Sequence, residues 1–597
     1  MRKDSTRGEP RAADIDGKRR SFLKTSVAAS VAAPMVLASS KSGAQVAPLL
    51  PSPATTPWAE ELPTQITPLT PLDSLTPAPT VMANTAGGEI GRVAHQRYDQ
   101  LCVPGVGGTP LLYQLTAKEN PNWVFNPAYP PQPIWGYAGN MDTVATSPGP
   151  TFFAKYGQSI IVRIRNELPA DHTGFGSPEI STHLHNMHTP SESDGFAGDF
   201  YGPNAKGPTL TQTGSFNDHF YPNLYAGIDQ FGGIGDPNEA LGTLFYHDHA
   251  EGVTAPNVLK GLMGRYMIFD HVDTGDETTG LKLPSWPYDY PLSFSDKRFD
   301  ANGRLFFDEL NPEGVLGDKI TVNGKIEPVL RVARRKYRFR LLNGGPTRFY
   351  EFYLQHKNRT TSYTYTIIAN DGNLLPTSLP NQFKVRIAPA ERADIIIDFS
   401  KFSLNTELFL VNQLVQIETR RPRDAEAPGT QLIKFIVDRD PPAVDKSVVP
   451  SVLRPLPALP TPAQIAALPV RRFVFSRTNG NWAVNNQFFN SLQPRVQVKR
   501  NSAEVWELVN PDNGWQHPIH IHFEEGRILS KTVGGVETAI PANEKGRKDV
   551  YVLGPLMSMK VFLRFRDFEG KYMMHCHNLT HEDHAMMLRW DIDPPAA

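Results

Sequence analysis

From about residue 90 onward the chain is a succession of short apolar–polar alternations punctuated by Pro, Gly and Asn. Three runs stand out: Ser159-Ile-Ile-Val-Arg-Ile-Arg-Asn, Lys336-Tyr-Arg-Phe-Arg-Leu-Leu-Asn and Ala503-Glu-Val-Trp-Glu-Leu-Val-Asn. Period two is the spacing of a strand with two unlike faces. Each run follows a turn-forming segment, respectively Pro148-Gly-Pro-Thr-Phe, Val322-Asn-Gly-Lys-Ile-Glu-Pro and Val484-Asn-Asn-Gln-Phe-Phe. The copies lie roughly 160–180 residues apart, which suits sandwich domains rather than a small solenoid repeat. A second echo sets Glu391-Arg-Ala-Asp-Ile-Ile-Ile against Gly546-Arg-Lys-Asp-Val-Tyr-Val. The pattern predicts an all-β chain in which one β unit is used three times.

Composition narrows this further. Across 597 residues, 54 Pro and 46 Gly favour short strands and turns, and a hydrophobic share of 40% rules out wholesale disorder. Sixty basic against 61 acidic side chains leave a net charge of -1, so no nucleic-acid or anionic-membrane partner is expected. The N-terminus reads as an address. Lys18-Arg-Arg-Ser-Phe-Leu-Lys24 precedes an apolar stretch to about Ser40, and Ser42-Gly43-Ala44 offers a cleavage point. The Arg19-Arg20 pair resembles the twin-arginine export signal. That predicts delivery by the twin-arginine machinery to the periplasm or beyond. The apolar stretch is too short for stable membrane insertion. The resulting division is a signal peptide at 1–44, a Pro/Thr-rich segment at 45–88, units at 89–275 and 276–440, a Pro-rich linker at 441–469 and a last unit at 470–597. The Gly- and aromatic-rich stretch Tyr201–Gly242 is expected to be a long loop.

The chemistry lies in the histidines. Seventeen in this length give about 0.5 His-x-His pairs by chance. Four occur: His183/His185, His247/His249, His520/His522 and His575/His577. On a strand, residues i and i+2 share a face, so each pair can present two imidazoles to one metal or to neighbouring metals. The pairs fall at the two ends of the chain, while residues 250–516 hold only His271 and His356. The simplest arrangement is one cluster where the first and last units meet, with the middle unit as spacer.

The last block, His575-Cys576-His577 with His581 and Met586, is the most specific. Alternation sends His575 and His577 to one face and Cys576 to the other. A Cys with two His and a weak Met is the blue-copper arrangement. Cys576, His581 and His517 are its ligands here, with Met586 axial. Structural zinc sites usually show paired Cys, and only Cys576 lies among these histidines.

Together, His183-Leu-His185, Tyr246-His247-Asp-His249, His517-Pro-Ile-His520-Ile-His522 and His575-Cys-His577-x3-His581-x4-Met586 resemble the four copper motifs of multicopper oxidases. Their order and spacing are most similar to the three-domain bacterial laccase/bilirubin oxidase group. The resemblance implies three consecutive cupredoxin-like β-sandwiches and four coppers. It places the type 2 copper on His183 and His520, and the type 3 pair on His185, His247, His249, His522, His575 and His577. It also implies one-electron oxidation of phenolic or aromatic donors near His517, electron transfer through Cys576, and reduction of O2 to water. Asp194 and Glu582 match the group's proton-relay positions. An axial Met implies a comparatively low type 1 potential.

The alternatives are a bilirubin oxidase-type activity or a metallo-oxidase. Mn(II) is favoured over Cu(I) because no Met-rich insert precedes the last motif. A copper-sequestering protein of the same fold would not need the Cys-His conduit. The enzyme is expected to be a monomer. Asn186 stands where relatives commonly carry Gly. His188 and His584 are expected beside ligands or at the surface, and His95, His172, His219, His271 and His356 to be structural or exposed. Cys102 is expected to be a buried free thiol.

Overall fold

The computed structural model describes residues 50–62, 68–83, 86–212, 214–309 and 311–595. The predicted export signal at 1–44 lies outside the described residues. From residue 51 onward the described residues cluster as one compact unit, with only the short stretch Asp171–Phe175 outside it. Among the described residues no helix is long and apolar enough to cross a membrane.

The three alternating runs form the strands Ile160–Asn166, Lys336–Asn343 and Ser502–Val509. Each is paired in the same way. Its parallel neighbour is Leu111–Trp123, Asp289–Phe299 or Val470–Thr478. Its antiparallel neighbour is Phe216–Tyr221, Arg392–Asp398 or Met557–Phe565. A facing sheet repeats the theme, with parallel pairs Thr151–Lys155 with Met263–Phe269, Val329–Ala333 with Ala425–Arg439, and Val496–Lys499 with Met587–Asp593. The sequence repeat is thus a topological repeat, and each copy is a two-sheet sandwich around its own apolar core.

Alternation decides which face goes where. Ile160, Val162 and Ile164 fill the first sandwich, whereas Ile161 points outward into the core of the last. Phe220 and Leu224 follow Ile161 into that second core. The sheet is therefore buried on both sides, and Arg163 survives there because Asp218 accepts two of its N–H groups at 2.8 Å. The expected Tyr201–Gly242 loop is corrected here. Its centre, Phe216–Tyr221, is a fully buried strand, and burial on both faces removes the alternation that would have revealed it. The Glu391/Gly546 echo also proves not to be a repeat of one strand. Arg392–Asp398 belongs beside the alternating run of its sandwich, whereas Val550–Leu553 pairs with His517–Ile521.

Candidate metal centre

The four histidine pairs sit on strands that bring them face to face. Thr182–His185 lies antiparallel to Thr243–Asp248 with His183 opposite His247, and His517–Ile521 lies antiparallel to Gly570–Cys576 with His520 opposite His575. The two strand pairs meet where the first sandwich faces the last. His185 stacks on His520 with ring centroids 3.7 Å apart, and His183 on His522 at 3.9 Å. Gly195 admits this approach: at φ +81° it lies against Thr182 O and the His183 backbone, where a Cβ has no room. Asp583 anchors the same face, its carboxylate capping the helix Thr254–Lys260 by accepting the Thr254 and Ala255 N–H groups, both at 2.9 Å.

Ligand nitrogens converge in sets: His183, His185 and His520; His185, His247 and His577; His249, His522 and His575. The outer nitrogens of several are already engaged, while Nδ1 of His185, His249 and His577 is buried without a partner. Nδ1 of His183 lies against Asp194 O (2.5 Å), His247 against Asp248 O (2.8 Å), His520 against Asp549 O (3.0 Å) and His522 against Asp194 Oδ2 (2.8 Å). The Glu582 Oε2 atom stands 2.8 Å from His575 Nδ1. Those acceptors fix the proton on Nδ1 and leave Nε2 as a bare lone pair. Nε2 of His183, His247 and His520 is buried without a partner. Nε2 of His249 and of His522 stands 3.1 and 3.2 Å from His575 Nε2. Unprotonated nitrogens crowded this closely need a cation between them, so the residues present fit a metal cluster.

The second site lies behind the same strand. Cys576 Sγ is 3.6 Å from both His517 Nδ1 and His581 Nδ1, which are 3.3 Å from each other. Met586 is placed here by its backbone: its C=O accepts from Cys576 N (3.0 Å) and its N–H donates to His581 O (2.9 Å). Trp482 packs over His581 at 4.0 Å and edge-on to His517 at 5.3 Å. His517 itself is only 1% exposed, and Trp515 lies above it with near-parallel rings 6.3 Å apart. The guanidinium of Arg477 covers both indoles, at 4.1 and 4.9 Å. One sulfur and two imidazoles, with a thioether at hand, suit copper better than zinc.

Burial pulls His247 down to about 4 and His249 and His517 to about 3, which favours their neutral forms. It pushes the Cys576 thiol up, so metal binding there must release a proton. Asp194 is raised by burial. At Glu582 burial also raises the pKa, but the His575 and His249 rings outweigh it and the net shift is downward. Both carboxylates lie at the imidazole cluster, against His522 and His575 respectively.

Other positions differ from expectation or were missed. Cys102 is free but only half-buried, so the buried thiol is corrected. His188 is buried and joins Asp567 across the sandwiches at 2.8 Å rather than bordering a ligand. His95 and His219 are buried, whereas the His271 side chain is 67% exposed. Asn186 adopts φ +72°, the left-handed region that explains Gly in its place. It uses its amide to reach Asp371 O (2.8 Å) and Glu525 Oε1 (2.9 Å). Sequence reasoning missed Asp549, whose carboxylate stands 3.0 Å from His185 Nε2. Its only signal was the Arg-Lys-Asp echo.

Three cupredoxin-like sandwiches with a Cys–His site backing onto an all-histidine cluster define a redox metalloprotein. A family profile described as multicopper oxidase matches residues 456–596. The chain is 34% identical over 460 residues to the bilirubin oxidase of Albifimbria verrucaria (75% of this chain, 72% of that one). It is 30% identical over 532 residues to a laccase of Bacillus subtilis (81% and 94%). The crystal structure of a multicopper oxidase from Aquifex aeolicus shares the fold, with a TM-score of 0.65 at 23% identity over 81% of this chain and 96% of that one. The chain belongs to the multicopper oxidases.

Proposed function

We propose that this is a laccase-like multicopper oxidase holding four coppers. His517, Cys576 and His581, with Met586 beside them, would hold the type 1 ion, and His183 and His520 the type 2 ion. His185, His247 and His577 would hold one type 3 ion, and His249, His522 and His575 the other. Bound copper would supply one-electron acceptance from phenolic or aromatic donors at the first site and four-electron reduction of O2 to water at the second.

The observation that carries this reading is the position of Cys576 between His575 and His577. Its sulfur faces one ligand set while its neighbours' imidazoles enter the other two. The chain thereby offers a path of covalent bonds from Cys576 Sγ through the backbone to either imidazole. Trp482, Trp515 and the covering Arg477 exclude water from His517, through which donors would be oxidised. Asp194 Oδ2 and Glu582 Oε2, each 2.8 Å from a cluster imidazole, are placed to hold and pass on the protons that O2 reduction consumes.

Each proposed site is complete within one chain, so neither needs a residue from a second copy. Residues 1–44 support twin-arginine export to the periplasm or outside, so that the folded protein would leave with its metal. Copper-loaded protein should consume O2 with a phenol and be blue when oxidised. O2 uptake with Mn(II) but with no organic donor would overturn the laccase-like assignment, and periplasmic fractionation of a variant with both Arg19 and Arg20 changed to Lys tests export.

A further inference from the structure

The echo between Glu391-Arg-Ala-Asp and Gly546-Arg-Lys-Asp has no counterpart in the strand order, yet the two segments meet in space. Glu391 Oε1 accepts from Lys548 Nζ at 2.9 Å. Arg392 closes a fork on Asp549, Nη1 to Oδ1 and Nη2 to Oδ2, both at 3.0 Å. The buried guanidinium also donates to Ala390 O (2.9 Å), Asp371 O (2.5 Å) and Thr243 O (3.2 Å). One side chain thus binds the first sandwich at Thr243, its own at Ala390 and Asp371, and the last at Asp549.

Asp549 in turn touches the cluster twice. Its backbone carbonyl faces His520 Nδ1 at 3.0 Å, and its carboxylate lies 3.0 Å from His185 Nε2. At His183, His247, His520 and His522 an acceptor occupies Nδ1, whereas Nδ1 of His185, His249 and His577 is buried without a partner, and at His185 the Asp549 carboxylate lies against the ring. Phe245 stacks on His185 at 4.4 Å and 25°, and keeps the ring from turning over. The Asp549 carbonyl at His520 Nδ1 orients that ring and leaves its Nε2 buried without a partner, facing the cluster. A carboxylate buried this deeply stays aimed only if a partner ties down both of its oxygens. A planar fork does so with two parallel bonds, which an ammonium cannot reproduce.

We propose that Arg392 of the middle sandwich is a positioning residue for the imidazole cluster: by clamping Asp549 it fixes the carbonyl that orients His520 and the carboxylate that lies against His185, so that metal retention between the outer sandwiches depends on a domain that supplies no ligand. The inference rests on the four-copper reading. It assigns the Glu-Arg and Lys-Asp echo a role, as two halves of one clasp.

The test uses the full, copper-loaded chain with Arg392→Met, Arg392→Lys, Asp549→Asn and, as a control, Arg454→Met, which breaks the buried Arg454–Asp270 pair (2.8 Å). Copper per chain after a chelator challenge, the electron paramagnetic resonance of the histidine-bound copper, the blue absorption and the melting temperature are recorded. Arg392→Met and Asp549→Asn should hold cluster copper roughly 10–100-fold more weakly, with an altered resonance and full blue absorption. Arg392→Lys should fall between them and wild type. Arg454→Met should lower the melting temperature and leave the resonance unchanged. The inference fails if Arg392→Met and Asp549→Asn both keep wild-type copper and resonance, whatever their melting temperatures. Should Arg392→Met not fold, Asp549→Asn, which keeps the side-chain shape, decides alone. Wild-type protein that holds no copper on its histidines would sink the four-copper reading, and the clasp with it.

Discussion

The outer sandwiches and the middle one share a strand order but divide the labour. In the first and last, buried strand faces carry imidazoles, with His183, His185, His520, His522, His575 and His577 all within a few per cent of full burial. In the middle sandwich the equivalent volume is hydrocarbon, with Phe294, Phe339, Leu341, Phe352 and Phe435 wholly buried. Orphaned imidazole nitrogens destabilise an interior unless metal satisfies them. An apolar core is stable by itself. A fold that places its costly groups at the joint of two domains therefore benefits from a third whose packing asks for nothing, and this chain has one.

That contrast can be broken at several depths. The largest effect is expected from Cys576→Ser, which removes the sulfur that completes one ligand set and begins the covalent path to the other. Blue absorption and oxidase turnover should fall to background while the melting temperature of metal-free protein barely moves, and retained turnover would refute the conduit. Next comes Phe339→Ala in the middle core, expected to lower stability by about 3–5 kcal/mol. Denaturant titration checks this, and the molecules still folded should keep their blue colour. Glu582→Gln should reduce turnover by about 100-fold, roughly 2.7 kcal/mol of barrier, with the blue absorption unchanged. Loss of colour would show that Glu582 shapes the metal site instead. The smallest effect belongs to Arg331→Ala, because its pairing with Glu61 (2.9 Å) joins two half-exposed side chains. About 0–1 kcal/mol is expected, shrinking with salt, and a larger loss would mean that the middle sandwich relies on its rim as well as its core.

Local chemistry was the part that could be read beforehand. Period-two spacing placed the alternating strands and told which side of the Cys576 strand each side chain takes, because a strand's pleat is fixed by its own backbone. Asp549 was invisible as a contact, since 364 positions separate it from His185 and neither flank announces the meeting. Phe216–Tyr221 was mistaken for loop because Asn217, Asp218 and His219 stand in a row and are buried on both of its faces, so polar residues mark neither side. Cys102 was expected to be deeper than it is, for depth depends on what other segments cover.

The amino-acid order by itself determined the strands, their threefold recurrence and the donor set, all of which follow from residue type and short-range geometry. Tertiary structure alone decided which nitrogen of each imidazole is free, how deeply His517 is enclosed, and that Arg392 reaches Asp549. Those outcomes arise from close packing between segments hundreds of residues apart, where a shift of a few tenths of an ångström makes or breaks a hydrogen bond.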